Sequence, residues 1–162
     1  MKIYKNLLSE IESKQIEELL CSSNFPWYLN KIFHDEDISP KINLQMTHSF
    51  YQNDMFNSQF KEIVELVKDK INWFSLVRVK ANLLFRTDNI IEHGMHCDYI
   101  AKNLKTAIYY VNTNNGYTKF KSGKKINSER NKFIEFNSRE EHTGSTCTDN
   151  DTRIVINFNY IK

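Results

Sequence analysis

Met95-His96-Cys97-Asp98-Tyr99 is the stretch from which the rest of the chain is read. In extended backbone the side chains repeat every two residues, so His96 and Asp98 point to one side and Cys97 to the other. An imidazole nitrogen and a carboxylate oxygen then reach one small sphere. His142 offers a second imidazole, and eleven positions beyond it stands Arg153, inside a run that alternates like a strand. The remainder reads most simply as a scaffold that brings these four residues together.

Working outward, Val77, Val79, Ala81, Leu83 and Phe85 alternate with Leu76, Arg78, Lys80, Asn82 and Leu84, which predicts a strand over 75–85. Thr87-Asp88-Asn89 turns the chain, and His96 and Asp98 are expected near the start of the next extended piece. Further strands are predicted over 104–112, 117–120, 124–127 and 131–136, with turns at Asn114-Asn115-Gly116 and Lys121-Ser122-Gly123. The last run has two clear faces. Arg153, Val155, Asn157 and Asn159 share one, and Ile154, Ile156, Phe158 and Tyr160 share the other. The apolar face is expected to meet helices, which turns Arg153 inward.

The N-terminal half reads differently. Ser9-Glu10-Ile11-Glu12 is a capping box, and Leu8, Ile11, Ile16, Leu19 and Leu20 fall on one helical face through about residue 22. The first five residues run straight into that helix. Phe25-Pro26-Trp27-Tyr28 ends it and begins an extended aromatic segment, while 32–50 carries loop signals and no assignment. A second helix is predicted from Asn57 or Ser58, with Phe60, Ile63, Val67, Ile71 and Phe74 on its apolar face. Helices first and seven or eight short strands after them predict an α+β, mainly β, sandwich or jelly roll with helices packed outside. The expected organisation is one domain over 1–162, with 1–74 as helical support and 75–162 as the β core.

Composition narrows the function. With 22 basic and 20 acidic residues and no basic-aromatic stripe, the chain gives no reason to expect a nucleic-acid partner. No apolar run approaches the roughly 20 residues of a membrane span. Cys21, Cys97 and Cys147 lack metal-finger spacing and suit reduced thiols, and no N-terminal segment resembles a signal peptide. A cytoplasmic location is expected.

Two histidines and a carboxylate with coordination positions left open suit Fe(II). A guanidinium on a strand facing a cavity is costly unless an anion meets it, and a planar carboxylate is its natural partner. Competing readings are weaker. His34, Glu36 and His48 form a second candidate set without an arginine strand, and His93 reads as a loop residue beside the site. Lys119, Lys121, Lys124 and Lys125 read as a solvated hairpin face, and Cys97 and Cys147 as packed thiols.

The pattern His96-x-Asp98, His142, Arg153 resembles the Fe(II)/2-oxoglutarate-dependent dioxygenases, most of all their compact prolyl-hydroxylase-like group, which includes versions in phage genomes. The resemblance runs from about Arg78 to the C-terminus. It implies a double-stranded β-helix with N-terminal helices, an Fe(II) held by His96, Asp98 and His142, and 2-oxoglutarate held by Arg153. Thr106-Ala107-Ile108-Tyr109-Tyr110-Val111-Asn112 is similar to the strand whose tyrosine contacts the far carboxylate of 2-oxoglutarate; Tyr110 is the better match and Tyr109 the second. Asn115-Gly116-Tyr117-Thr118-Lys119-Phe120 is similar to the family's glycine-containing strand, and Glu141-His142-Thr143-Gly144 to its second-histidine loop. Where some members place a tyrosine before the HxD loop, this chain has Leu84 and Phe85, with Asn82 as a candidate replacement.

The implied reaction uses O2 to hydroxylate an unactivated C–H of a peptidyl or small-molecule substrate, releasing succinate and CO2. Asp98 argues against halogenation, which needs that coordination position for halide. A phage-encoded chain would work in the host cytoplasm. The other class of reading is a non-catalytic jelly-roll module that keeps metal and 2-oxoglutarate as sensor ligands. Segments 25–29, 86–95 and 138–151 are expected to shape the substrate mouth.

Overall fold

The computed structural model describes residues 1–32 and 44–162. In chain order the elements are β1 (Lys2–Tyr4), α1 (Glu10–Leu20), β2 (Tyr28–Lys31), β3 (Leu44–Gln52), β4 (Met55–Phe56), α2 (Glu62–Lys70) and β5 (Ser75–Phe85). They continue with β6 (Leu104–Tyr110), β7 (Tyr117–Phe120), β8 (Lys125–Asn127), β9 (Lys132–Asn137), β10 (His142–Gly144) and β11 (Thr152–Ile161). The larger sheet has the order β1-β9-β6-β11-β5-β3-β2, with β4 paired to β3, and the smaller has the order β10-β7-β8. All pairings within them are antiparallel, and the architecture is a jelly roll.

β11 lies inside the larger sheet, with β5 along one edge and β6 along the other. Its two faces do different work. Ile154, Ile156, Phe158 and Tyr160 are buried with Ile16 and Leu20 of α1 and Ile63, Val64 and Val67 of α2. Each such side chain contributes about 1.5–3 kcal/mol by leaving water. On the opposite face Val155 packs with Ile108, Tyr110 and Ile134, between the two sheets. Helices therefore cover one face of the larger sheet and the smaller sheet covers the other.

Local chemistry sets the helix ends. Ser9 Oγ accepts from Glu12 N at 3.2 Å and Glu12 Oε2 accepts from Ser9 N at 2.8 Å, closing the expected capping box. α2 begins later than its apolar periodicity predicts, because Ser58 Oγ is engaged by His48 Nε2 at 2.8 Å and accepts from Phe60 N at 3.1 Å. Glu62 and Glu65 at its start and Lys68 and Lys70 at its end match the helix dipole. The backbone turns extended at Ile71, so the predicted apolar stripe stops there and Phe74 is left exposed.

Strands also form where the sequence showed none. Among the described residues, 1–74 supply four of them as well as two helices, so this segment is more than helical support. β1 pairs with β9, Ile3 opposite Ile134, and β3 fills part of the unassigned 32–50. Among the described residues no helix is long and apolar enough to cross a membrane.

Because Phe158 is fully buried where sheet meets helices, Phe158→Ala should lower unfolding free energy by about 3–5 kcal/mol. Urea unfolding would show a lower midpoint with an unchanged slope; an unshifted midpoint would contradict this packing.

Candidate metal centre

One ligand atom from each of His96, Asp98 and His142 lies within 4.8 Å of the others. His142 is the middle of this arrangement. It starts β10, is buried, and its ring packs edge-on against Phe136 at 4.8 Å. His96 is not in a strand, contrary to the alternation read from its sequence. It makes an isolated antiparallel bridge with His142, His96 N donating to His142 O at 3.0 Å and His142 N to His96 O at 2.9 Å. Two backbone bonds thus hold the imidazoles with ring centroids 4.9 Å apart.

Tautomers follow from the partners. His96 Nδ1 meets Gly94 O at 3.1 Å and His142 Nδ1 meets Glu140 O at 3.0 Å. A carbonyl can only accept, so each Nδ1 carries the proton and each Nε2 presents the lone pair a metal requires.

Asp98 is gripped through both oxygens. Arg78 Nη2 donates to Oδ1 at 3.2 Å and Asn159 Nδ2 donates to Oδ2 at 3.2 Å. Asn159 is fully buried; its Oδ1 accepts from Arg78 Nε at 3.0 Å and its Nδ2 also reaches Thr106 Oγ1 at 3.0 Å. Burial works to raise the Asp98 carboxyl, but His142 and His96 whenever they are protonated, the Arg78 charge and the Asn159 bond hold it below the usual carboxylate range. It is anionic and oriented before any metal arrives.

These ligands open on a cavity of about 240 Å³ between the sheets. Arg153, Val155 and Asn157 of β11, Arg78, Lys80 and Asn82 of β5, Ile108 of β6 and Thr118 of β7 line it. Arg153 is 3% exposed, donates from Nε to Ser128 Oγ at 2.8 Å and from Nη2 to Thr118 Oγ1 at 3.2 Å, and meets no carboxylate among the described residues. Burial lowers its guanidinium below its ordinary value, with Tyr110 and Cys147 opposing. Glycines make its room. A Cβ on Gly116 would stand 2.6 Å from Arg153 Cδ, and one on Gly144 would stand 3.3 Å from Nη1.

The remaining sequence candidates divide. Tyr110 lies beneath the guanidinium, 5.9 Å from ring centre to Cζ, and donates to Thr118 Oγ1 at 2.9 Å. Burial pushes its phenol up to about 12, so it stays neutral. Tyr109 is excluded. It pairs with Ile156, on the helix-covered face, and its hydroxyl reaches Asn131. Asn82 lines the cavity with its Oδ1 buried and without a hydrogen-bond partner among the described residues. Sequence reasoning missed Thr118, Ser128 and Arg78, and had Asn159 only as a member of the inward face.

Of the alternatives, His48 is held in the core by Pro26 O and Ser58, among Phe25, Phe50 and Phe60; His34 and Glu36 lie outside the described residues. Phe25 is core rather than cavity wall, whereas His93 lines the cavity from the 86–95 loop. That loop is tied down. Glu92 accepts from Tyr117 Oη and Lys119 Nζ, both at 2.5 Å, and pairs with Lys125 Nζ at 3.1 Å. Lys119 and Lys125 are thus partnered rather than merely solvated.

Two predictions follow from these bonds. Asn159→Ala should weaken divalent-metal affinity about 10–100-fold, the usual consequence of losing a group that orients a ligand. Metal titration by calorimetry checks it, and an unchanged affinity would remove Asn159 from the site. Lys119, Tyr117 and Lys125 hold Glu92 down from 4.5 to about 2, against a small burial effect. A carboxyl depressed in the folded state stabilises above its unfolded pKa and loses that contribution as pH falls through the folded one. Protection of the 91–96 amides, taken relative to their intrinsic exchange at each pH, should therefore fall between pH 4.5 and about 2, and Glu92→Gln should abolish that loss.

No protein-family model matches the chain, and no curated protein matches its sequence. Solved structures match across nearly its whole length. A prolyl hydroxylase from Trichoplax adhaerens, in complex with a hypoxia inducible factor peptide fragment, superposes with a TM-score of 0.65 at 14% identity, covering 99% of this chain and 82% of that one. A Pseudomonas putida prolyl-4-hydroxylase gives 0.60 at 10% identity, covering 99% and 92%. A non-heme alpha ketoglutarate dependent carbocyclase from nogalamycin biosynthesis gives 0.67 at 9% identity, covering 99% and 78%.

Proposed function

We propose that this chain, which has the jelly-roll fold of the 2-oxoglutarate–Fe(II) oxygenases, is itself a 2-oxoglutarate-dependent dioxygenase. One observation carries the proposal: a buried guanidinium at Arg153, without a carboxylate among the described residues, faces the same cavity as His96, Asp98 and His142. The donor set fits the implied groups. Two neutral imidazoles and one carboxylate suit Fe(II), and a partly satisfied guanidinium suits a carboxylate of 2-oxoglutarate.

Bound there, Fe(II) and 2-oxoglutarate would supply, with dioxygen, the oxidising power for attack on an unactivated C–H bond, with succinate and CO2 as the co-products. The protein's residues position and exclude. Arg153 receives the far carboxylate, and Ser128 and Thr118 fix the guanidinium plane while leaving Nη1 beside Gly144. Tyr110 acts by holding Thr118, whose hydroxyl also meets Arg153; a direct bond from Tyr110 to the cosubstrate would require giving up Thr118. Asn82 offers an unmatched amide oxygen to a hydroxyl or amine. Val155, Ile108 and Leu84 keep the wall between metal and guanidinium apolar.

The substrate reading is a peptidyl side chain or a small metabolite. The neighbours supply both precedents, a peptide complex and a carbocyclase, so hydroxylation is the default outcome rather than the only one this fold hosts. The thiols of Cys21, Cys97 and Cys147 are unpaired with one another and support a reducing compartment such as the cytoplasm.

Arg153→Leu separates cosubstrate from metal. Removing one partner of a desolvated charge pair costs on the order of 2–5 kcal/mol. Anaerobic calorimetry should show 2-oxoglutarate affinity falling roughly thirtyfold or more, with Fe(II) affinity retained. His142→Ala should remove Fe(II) binding. Equal 2-oxoglutarate binding by Arg153→Leu and the parent would overturn the assignment, and succinate formation from Fe(II), 2-oxoglutarate and O2 separates an enzyme from a sensor.

A further inference from the structure

Lys80 is the cavity residue this proposed function leaves unused. It lies on β5 two residues from Arg78, on the same face and about 7 Å along the strand. Arg78 is committed to Asp98 and Arg153 is the cosubstrate's cation, but Lys80 Nζ has no ion pair or hydrogen bond among the described residues. Its cross-strand neighbours are equally unsatisfied. Ser49 of β3 stands opposite it on one side and Asn157 of β11 on the other, and Ser49 Oγ and Asn157 Oδ1 are both buried without a partner among the described residues. One row across three strands therefore presents an ammonium flanked by two orphaned oxygens. Native interiors rarely leave such groups unmatched.

Charge points to the missing partner. A divalent metal with the Asp98 carboxylate leaves one positive charge, and Arg153 with dianionic 2-oxoglutarate leaves one negative charge. These cancel, so Arg78 and Lys80 remain uncompensated with the site fully loaded. A neutral substrate would leave the largely buried Lys80 without a counter-charge among the described residues. An oxyanion would pair with the ammonium and use the amide of Asn157, which lines the same cavity and can present either its oxygen or its NH2.

We infer that the substrate is anionic, with a carboxylate or phosphate group seated on Lys80 and Asn157 beside the carbon to be oxidised. This rests on the proposed dioxygenase reading and deepens it, making Lys80 a specificity residue for substrate rather than for cosubstrate.

The experiment uses the full chain, anaerobic, with Fe(II) and saturating 2-oxoglutarate, titrated by calorimetry. The probes are inorganic phosphate, N-acetyl-aspartate amide and N-acetyl-phosphoserine amide, against the neutral N-acetyl-asparagine amide and N-acetyl-serine amide. The expected result is that at least one anionic probe binds and its neutral partner does not. Lys80→Gln should weaken that binding tenfold or more, Lys80→Arg should restore it, and 2-oxoglutarate affinity should be equal in all three proteins. Preference for the aspartyl or the phosphoseryl probe tells carboxylate from phosphate. The inference is overturned if no anionic probe binds, if neutral and anionic probes bind alike, or if Lys80→Gln weakens 2-oxoglutarate instead. Absence of 2-oxoglutarate binding by the parent would count against the dioxygenase reading, and the probes titrated without cosubstrate would still judge Lys80.

Discussion

The pleat of β11 is the constraint on which the rest of the molecule depends. Pairing along both edges fixes its register, so each side chain is committed to one face. Ile154, Ile156, Phe158 and Tyr160 carry the helices; from the alternate positions Arg153, Val155 and Asn157 line the cavity and Asn159 holds Asp98. A slip by one residue would bury a guanidinium under the helices and put isoleucines in the site. Stability and chemistry are thus coupled in one ten-residue strand, because the apolar face supplies the register that the polar face needs.

That coupling makes a costly feature tolerable. Taking a guanidinium out of water costs several kcal/mol even after relaxation, and Ser128 and Thr118 return only neutral hydrogen bonds. The side chain cannot swing away, since β11 holds its backbone and Gly116 and Gly144 let the smaller sheet close against it. Gly116 is the stricter of the two. A methyl group there would also stand 2.8 Å from Thr146 O, so backbone as well as Arg153 would have to move. The need for an anion is built into the packing, and it is this need that gives the cavity its reading.

Sequence carried much of this because much of it is local. Period-two alternation in 75–85 and in the last strand, and the Ser9–Glu12 box, depend on neighbours a few residues away, and the structure reproduces them. Tyr110 over Tyr109 follows from the same parity, given that Ile156 faces the helices. His96 and Asp98 were legible as chemistry but not as geometry. Their convergence comes from the bridge to His142 and the grip of Arg78 and Asn159 rather than from strand alternation. β1 and β3 hid because a strand's existence there rests on partners far along the chain, β9 and β5. Ser58 looked like a helix start until its hydroxyl was needed by His48.

The metal ligands themselves belong to the periphery of the fold. His142 sits on the three-residue β10, and His96 and Asp98 lie outside the strands. Asp98 is bonded to the larger sheet, through Arg78 of β5 and Asn159 of β11. The two histidines are bonded to each other and to the smaller sheet. An ion shared by the three would therefore add a further link between the two sheets, beside the Arg153–Thr118 bond. Binding free energy for such an ion is partly spent on holding the halves together, so metal occupancy and closure of the jelly roll at this end stabilise one another.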